Sequence, residues 1–153
     1  MPLKPAFKLL ILAVIVLLAA AGCSKPAVKP SDEVAAADKA LTAFEGMKKA
    51  YVSRDARGVT DPVSPDFKGG AAEFSGRIRK DMDAFDKVEL DVAVERVEEA
   101  EDAVKVVFHW RGTWRDRTGL ASFGRGNCVF VFKEAGAMQL YDIVGDSPFD
   151  VVR

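Results

Sequence analysis

The sequence has few of the residues from which metal sites and disulfide frameworks are built. It contains two cysteines and a single histidine in 153 residues. A zinc site needs several histidine or cysteine ligands at close spacing, and His109 has no such neighbour nearby in the sequence. Cys23 and Cys128 would pair in an exported protein only if both kept their thiols. We therefore expect no metal site and no cofactor.

The sequence also lacks an excess of positive charge. It has 22 basic and 23 acidic residues, which give a formal net charge of −1. Proteins that bind nucleic acid carry a basic stripe or patch, so we expect no nucleic-acid partner. Beyond one apolar run near the N-terminus there is no second long hydrophobic run, and nothing else is predicted to span a membrane.

The apolar run near the N-terminus has the layout of an export signal. Two lysines precede it, residues 9–18 are all apolar, and small residues at positions 19–22 lead directly to Cys23. Small residues are what a signal peptidase requires next to its cleavage site. Their position directly before a cysteine resembles the lipobox of bacterial lipoproteins, although Ala20 stands where that motif usually has leucine.

The lipobox resemblance implies a lipid anchor. Residues 1–22 would be removed as a signal peptide, and Cys23 would carry diacylglycerol that inserts into the lipid bilayer of the cell envelope. Ser24 resembles an outer-membrane sorting signal, which would place the protein on the periplasmic side in a Gram-negative host. Residues 24–30 contain two prolines and two lysines and are predicted to form an extended tether. The alternatives are an ordinary secretory signal and an uncleaved anchor.

Residues 31–153 are predicted to form a single domain that begins with helices. Ser31 is a suitable helix N-cap, because its hydroxyl can accept a hydrogen bond from an unpaired backbone amide. Two apolar stripes at helical spacing follow, the second in a helix from about residue 71 to residue 86. The first stripe contains Val34, Leu41, Phe44, Met47 and Tyr51, and the second contains Phe74, Ile78, Met82 and Phe85.

From residue 87 to residue 145 the pattern changes to strict alternation. Val106, Phe108 and Trp110 alternate with polar residues, which is the period of a half-buried strand. Turn-forming residues divide this segment into four strands, and the glycines Gly124 and Gly126 indicate a bulge or a bend. No connection is long enough for a crossover, so the strands are predicted to be antiparallel neighbours.

This order of elements resembles the cone-shaped α+β fold of nuclear transport factor 2-like and ketosteroid-isomerase-like proteins. The resemblance rests on the element order, on Gly119 and on residues 130–133 and 136–140, with Met138 where tryptophan is common. It implies N-terminal helices packed on a curved antiparallel sheet, a cystatin-like or cone fold. Proteins of this superfamily include isomerases, dehydratases and non-catalytic subunits, so the fold does not determine the function.

A ligand site, if the cone encloses one, is expected between the second helical stripe and the sheet. Asp142 shares the parity of the apolar residues in the last strand, and such an acid must be paired, lie at the rim or have a raised pKa. We expect a structural acid paired with an arginine, and the alternative is a catalytic base. The predicted pocket residues are Phe74, Ile78, Phe85, Trp110, Trp114 and Asp142.

Alternation along the strands also predicts the environment of His109 and Cys128. His109 should lie on the sheet face opposite Trp110, either in solvent or at a dimer interface. Cys128 shares the parity of Phe130 and should be a buried thiol. Trp110 and Trp114 lie four residues apart on one strand face, where they either line a ligand pocket or cap the hydrophobic core, and we favour the core.

Two classes of function follow. The first is a membrane-anchored envelope lipoprotein without catalytic residues, whose cone binds a small apolar ligand or whose sheet face binds a partner or a second copy. The second is a cone-fold enzyme of the isomerase or dehydratase type with Asp142 as its carboxylate base. An enzyme needs a polar group deep in the pocket, whereas a binding module can have an apolar interior.

Overall fold

The structure is a computed structural model that describes residues 32–152, apart from the side chain of Glu33. The predicted signal peptide, Cys23 and the tether lie outside the described residues. Within the described residues, none of the helices combines the length and the apolar character that crossing a membrane would require.

Three helices precede the sheet: α1 (Asp32–Val52), α2 (Ala56–Thr60) and α3 (Ala71–Ala84). The predicted stripe of α1 faces the core, where Phe44, Met47 and Tyr51 are almost completely buried. Val34, predicted on the same stripe, is half exposed in the first turn of the helix. The short helix α2 begins where the Asp55 carboxylate accepts a hydrogen bond from a backbone amide of its first turn.

The predicted end of the second amphipathic helix is wrong by two residues. Phe85 has extended backbone angles, φ −117° and ψ 130°, and it is the first residue of strand β1. The chain passes from helix to strand without a loop. Phe85 lies three residues after Met82, which is a helical spacing, but it is not part of the helix. Its ring nevertheless reaches the core side of the sheet, with its centroid 6.5 Å from that of Trp114.

Four antiparallel strands follow in the predicted order: β1 (Phe85–Ala100), β2 (Ala103–Asp116), β3 (Ala121–Ala135) and β4 (Ala137–Gly145). The α+β fold with helices packed on a curved antiparallel sheet is therefore confirmed. An extended segment also lies beside β4, where Val63 forms a parallel bridge with Leu140. We call the sheet face that packs on the helices the inner face and the other the outer face.

The core lies between α1 and the inner face of the sheet, and aromatic rings fill it. Phe44 of α1 packs against Phe108 with ring centroids 4.7 Å apart, and Phe108 packs against Phe130 at 5.1 Å. All three rings are at most 1% exposed. Burial of one such side chain contributes about 1.5 to 3 kcal/mol, so these rings are a main source of the domain's stability.

Candidate functional site

Asp81 is a deeply buried acid in the interior of the cone. It is 2% exposed, and it is the only buried acid among the side chains that the structure describes. Its position on α3 is three residues after Ile78 and seven after Phe74, which places the carboxylate on the apolar stripe. A charged group in such a place must be fully hydrogen-bonded, because burial without partners costs several kcal/mol.

The Asp81 carboxylate has four hydrogen-bond donors. Oδ2 accepts from the Tyr51 hydroxyl at 2.6 Å and from the backbone amides of Asp150 and Val151 at 2.8 and 3.0 Å. Oδ1 accepts from the amide of Val152 at 2.8 Å. The Trp114 indole N–H in turn donates to the Tyr51 oxygen at 3.1 Å. We call Tyr51, Asp81, Trp114 and the amides of residues 150–152 the Asp81 cluster.

The electrostatics of the Asp81 cluster keep Tyr51 protonated. Burial raises the pKa of the Tyr51 hydroxyl well above its ordinary value, and the negative charge of Asp81 raises it further. The hydroxyl therefore remains a donor to Asp81 at any physiological pH. Oδ2 receives three donors and Oδ1 receives one, so Oδ1 keeps a second lone pair. At 2% exposure the carboxylate is nevertheless enclosed, and a ligand could reach it only if the C-terminal residues 150–152 moved away.

The C-terminal segment, residues 147–152, is held in place by the Asp81 cluster. Phe149 is 1% exposed, and its ring lies 4.6 Å from that of Tyr51 and 5.6 Å from that of Phe130. Asp150 has a positive φ of 71° and forms an ion pair with Arg77 at 2.6 Å. The segment thus occupies interior space that a ligand would need.

The two tryptophans of β2 pack against each other in an edge-to-face arrangement, with ring centroids 5.9 Å apart. Glycines make room for them: a Cβ on Gly112 would lie 2.3 Å from Trp114, and one on Gly124 would lie 3.1 Å from Trp110. A bulge or a bend was predicted at the glycines, and the bulge is wrong, because the pairing of β2 with β3 has no register shift. Both indoles are buried in the core, as expected.

Asp142 does not face the interior, because a β-bulge interrupts β4. Leu140 pairs with the inward-facing Phe132, whereas Asp142 pairs with the outward-facing Val131. The predicted alternation of inward and outward side chains along β4 is therefore reversed after the bulge. Asp142 forms an ion pair with a lysine, Lys68 Nζ at 3.1 Å, and not with an arginine as expected.

The structure brings together five of the six predicted pocket residues. Phe74, Ile78, Trp110 and Trp114 belong to one hydrophobic core, and Phe85 packs against it, while Asp142 lies on the outer face. Their role in binding a ligand stays a prediction. Sequence reasoning missed the Asp81 cluster, although the position of Asp81 on the apolar stripe was a usable signal.

The remaining predicted residues lie where alternation placed them. His109 is on the outer face, about half exposed, with Nδ1 3.1 Å from a carboxylate oxygen of Glu95. Cys128 is 2% exposed, and its burial raises the pKa of the thiol to about 12. Over residues 32–152, no group of three or more His, Cys, Asp and Glu side chains could hold a metal ion.

Comparison with solved structures identifies the fold. The domain is similar to a nuclear transport factor 2-like superfamily protein from Salmonella enterica, with 12% identity, a TM-score of 0.63, and coverage of 78% of this chain and 95% of that one. A ketosteroid isomerase-like protein from Erwinia carotovora atroseptica has 16% identity, a TM-score of 0.60 and coverage of 73% and 97%.

A hexachlorocyclohexane dehydrochlorinase has the same fold, with 10% identity, a TM-score of 0.61 and coverage of 77% of this chain and 88% of that one. No protein-family model matches the chain, and no curated protein does so significantly. At these identities the structural likeness establishes the nuclear transport factor 2-like cone fold, and it leaves the activity open.

Proposed function

We propose that this chain is a lipid-anchored, non-catalytic binding module of the bacterial cell envelope. The observation that carries the proposal is the enclosure of Asp81, a carboxylate that is 2% exposed and surrounded by four hydrogen-bond donors. A general base must lie within hydrogen-bond reach of the proton that it removes. Asp142, the acid first considered for that role, pairs with Lys68 on the outer face.

The lipid anchor is supported by the sequence alone. The apolar run, the small residues and Cys23 have the order of a lipoprotein signal, so acylated Cys23 would insert into the bilayer. A tether of residues 24–30 spans at most about 25 Å when fully extended. The domain would thus stay close to the membrane, on the periplasmic side of the outer membrane if the host is Gram-negative.

The outer face of the sheet is the surface on which we place binding. The interior is occupied by Phe149 and its aromatic neighbours, so a small apolar ligand in the cone would have to displace the C-terminal segment. The outer face instead exposes large apolar side chains: Phe123 is 78% exposed and Val144 is 53% exposed. A small ligand, a partner protein or a second copy of this chain would cover such residues.

A second candidate function is a cone-fold enzyme in which Tyr51 and Asp81 form the catalytic pair. The observation that favours it is the short contact of 2.6 Å between a hydroxyl and a carboxylate inside the cone. Solved structures with this fold include the dehydrochlorinase and the ketosteroid isomerase-like protein named above. This function requires that the C-terminal segment leave the cluster, so that a substrate can reach Asp81.

Native-state hydrogen exchange of the amides of residues 150–152 separates the two functions. The non-catalytic proposal predicts that these amides exchange as slowly as those of core strand β2, because each donates to Asp81. The exposed turn amide of Arg117, which donates no hydrogen bond to the described residues, is the control for fast exchange. Exchange of residues 150–152 at the rate of Arg117 would favour the enzyme and contradict the proposal.

A further inference from the structure

Two arginines lie directly opposite each other on the outer face of the sheet. Arg111 of β2 pairs with Arg125 of β3 in the strand register. The Cβ atoms of such partners are about 4.5 to 5.5 Å apart, and like charges at that separation destabilise a sheet. The placement of these two guanidinium groups opposite each other therefore does not stabilise the fold.

The acids beside this arginine pair already have cationic partners. Asp91 is 3.0 Å from Arg111, and Glu89 is 2.6 Å from Lys87, which lowers the pKa of Glu89 and keeps it ionised. The guanidinium group of Arg125, unlike its backbone in the β2–β3 ladder, makes no ion pair or hydrogen bond with the described chain, residues 32–152. One guanidinium group with five donors is thus left for an external anion.

The arginine pair lines a cleft on the outer face, about 720 Å³ in volume, which we call the outer-face cleft. Its volume is within the range of small-ligand sites, about 300 to 1,000 Å³. Phe123 lines the same cleft, two residues before Arg125 on β3, and pairs with Thr113 of β2. It is the most exposed large apolar side chain of the described residues. An exposed aromatic ring next to two guanidinium groups suits a ligand with one charged end and one flat apolar end.

We propose that the outer-face cleft binds a small anion in which a phosphate or carboxylate group is joined to a flat apolar group. Arg125 and Arg111 would hold the oxyanion through paired N–H donors, and Phe123 would stack on the apolar part. This inference rests on the proposed binding function and names the site and the ligand class. The proposed function and this inference can fail independently, because the hydrogen-exchange test measures residues 150–152, which do not line the outer-face cleft.

Backbone amide chemical shifts, measured on the purified full chain in non-ionic detergent, test the proposal. Phenyl phosphate and benzoate are titrated separately, with inorganic phosphate as the probe that lacks a ring. Saturable shifts at Gly112, Gly124 and Phe123 are expected with at least one ring-bearing probe, and the tighter probe identifies the anion. Arg125→Ala should weaken its binding by about tenfold or more, because a charge-assisted hydrogen bond is lost.

Two further variants make the test specific. Arg79→Ala removes the same charge from an exposed position on α3 and should leave the affinity within about twofold. Phe123→Ala should weaken the ring-bearing probe but not inorganic phosphate. Equal losses in Arg79→Ala and Arg125→Ala, or shifts confined to the interior, would overturn the proposal. So would a response only to micelles containing phosphatidylglycerol, because the cleft would then bind a membrane surface.

Discussion

Replacing Asp81 by asparagine keeps the shape of the side chain but removes its charge and one acceptor oxygen. The amide oxygen can take the place of Oδ2 and keep three donors, Tyr51 and the amides of residues 150 and 151. The amide nitrogen would then face the N–H of Val152, which now contacts the carboxylate at 2.8 Å. One charge-assisted hydrogen bond is lost, and two buried donors face each other.

The expected loss of stability follows from these contacts. A hydrogen bond to a charged group contributes about 1.5 to 3 kcal/mol, and a buried donor without a partner costs about 1 to 3 kcal/mol. Asp81→Asn should therefore lower the free energy of unfolding by about 2.5 to 6 kcal/mol, the sum of these two contributions. Urea denaturation followed by tryptophan fluorescence measures it, because Trp114 belongs to the cluster and its indole is buried.

Tyr51→Phe is the matched partner of this substitution. It removes the hydroxyl that links Trp114 to Asp81 and leaves the aromatic packing with Phe149 intact. The two single changes affect one network, so the double variant should lose less stability than the sum of the single losses. A loss below about 0.5 kcal/mol for Asp81→Asn, the usual size of a surface change, would refute the reasoning.

The same cluster predicts the response of stability to alkaline pH. The folded-state pKa of Tyr51 is raised above its unfolded value near 10, so its protonated form is favoured in the folded protein. This contribution is complete below pH 10 and declines above it, by about 1.4 kcal/mol per pH unit. The stability difference between wild type and Tyr51→Phe should therefore shrink above pH 10. A constant difference would show that the hydroxyl is not buried.

Three other predictions concern single residues. Labelled palmitate should enter the wild-type protein, and Cys23→Ala should abolish labelling and leave a larger precursor; an unlabelled, released wild type would contradict the anchor. Cys128 should react slowly with thiol reagents when folded and completely in denaturant, whereas rapid labelling of the folded monomer would show that it faces outward. Asp142→Asn should lower the free energy of unfolding, measured by urea denaturation, by less than about 1 kcal/mol, because the Lys68 side chain is 59% exposed and surface ion pairs are weak. A larger loss would contradict this and indicate further partners of Asp142.

Alternation along the strands predicted the inner face of the sheet because each side chain's direction depends only on local backbone geometry. Phe108, Trp110 and Cys128 are buried, and His109 is exposed, as that rule requires. The rule failed at Asp142, because a bulge inserts one extra residue and shifts the parity of everything after it. A bulge depends on cross-strand pairing, which a single strand's sequence does not contain.

The Asp81 cluster shows a different limit of sequence reasoning. The position of Asp81 on an apolar helical stripe was visible in the spacing from Phe74 and Ile78. Its partners were not, because three of them are backbone amides about 70 positions later in the chain. Backbone donors have no side-chain signature, so the sequence could indicate that Asp81 needs partners without identifying them.

Direct detection of the Tyr51 hydroxyl proton by solution NMR tests the central claim, that Asp81 is an enclosed structural acid. The account predicts a slowly exchanging hydroxyl resonance with cross-peaks to the Trp114 indole N–H, which donates to the Tyr51 oxygen, and to the amide of Val151, which shares the acceptor Asp81 Oδ2 with the hydroxyl. A hydroxyl proton that exchanges with water too fast to observe, without a cross-peak to Val151, would contradict it.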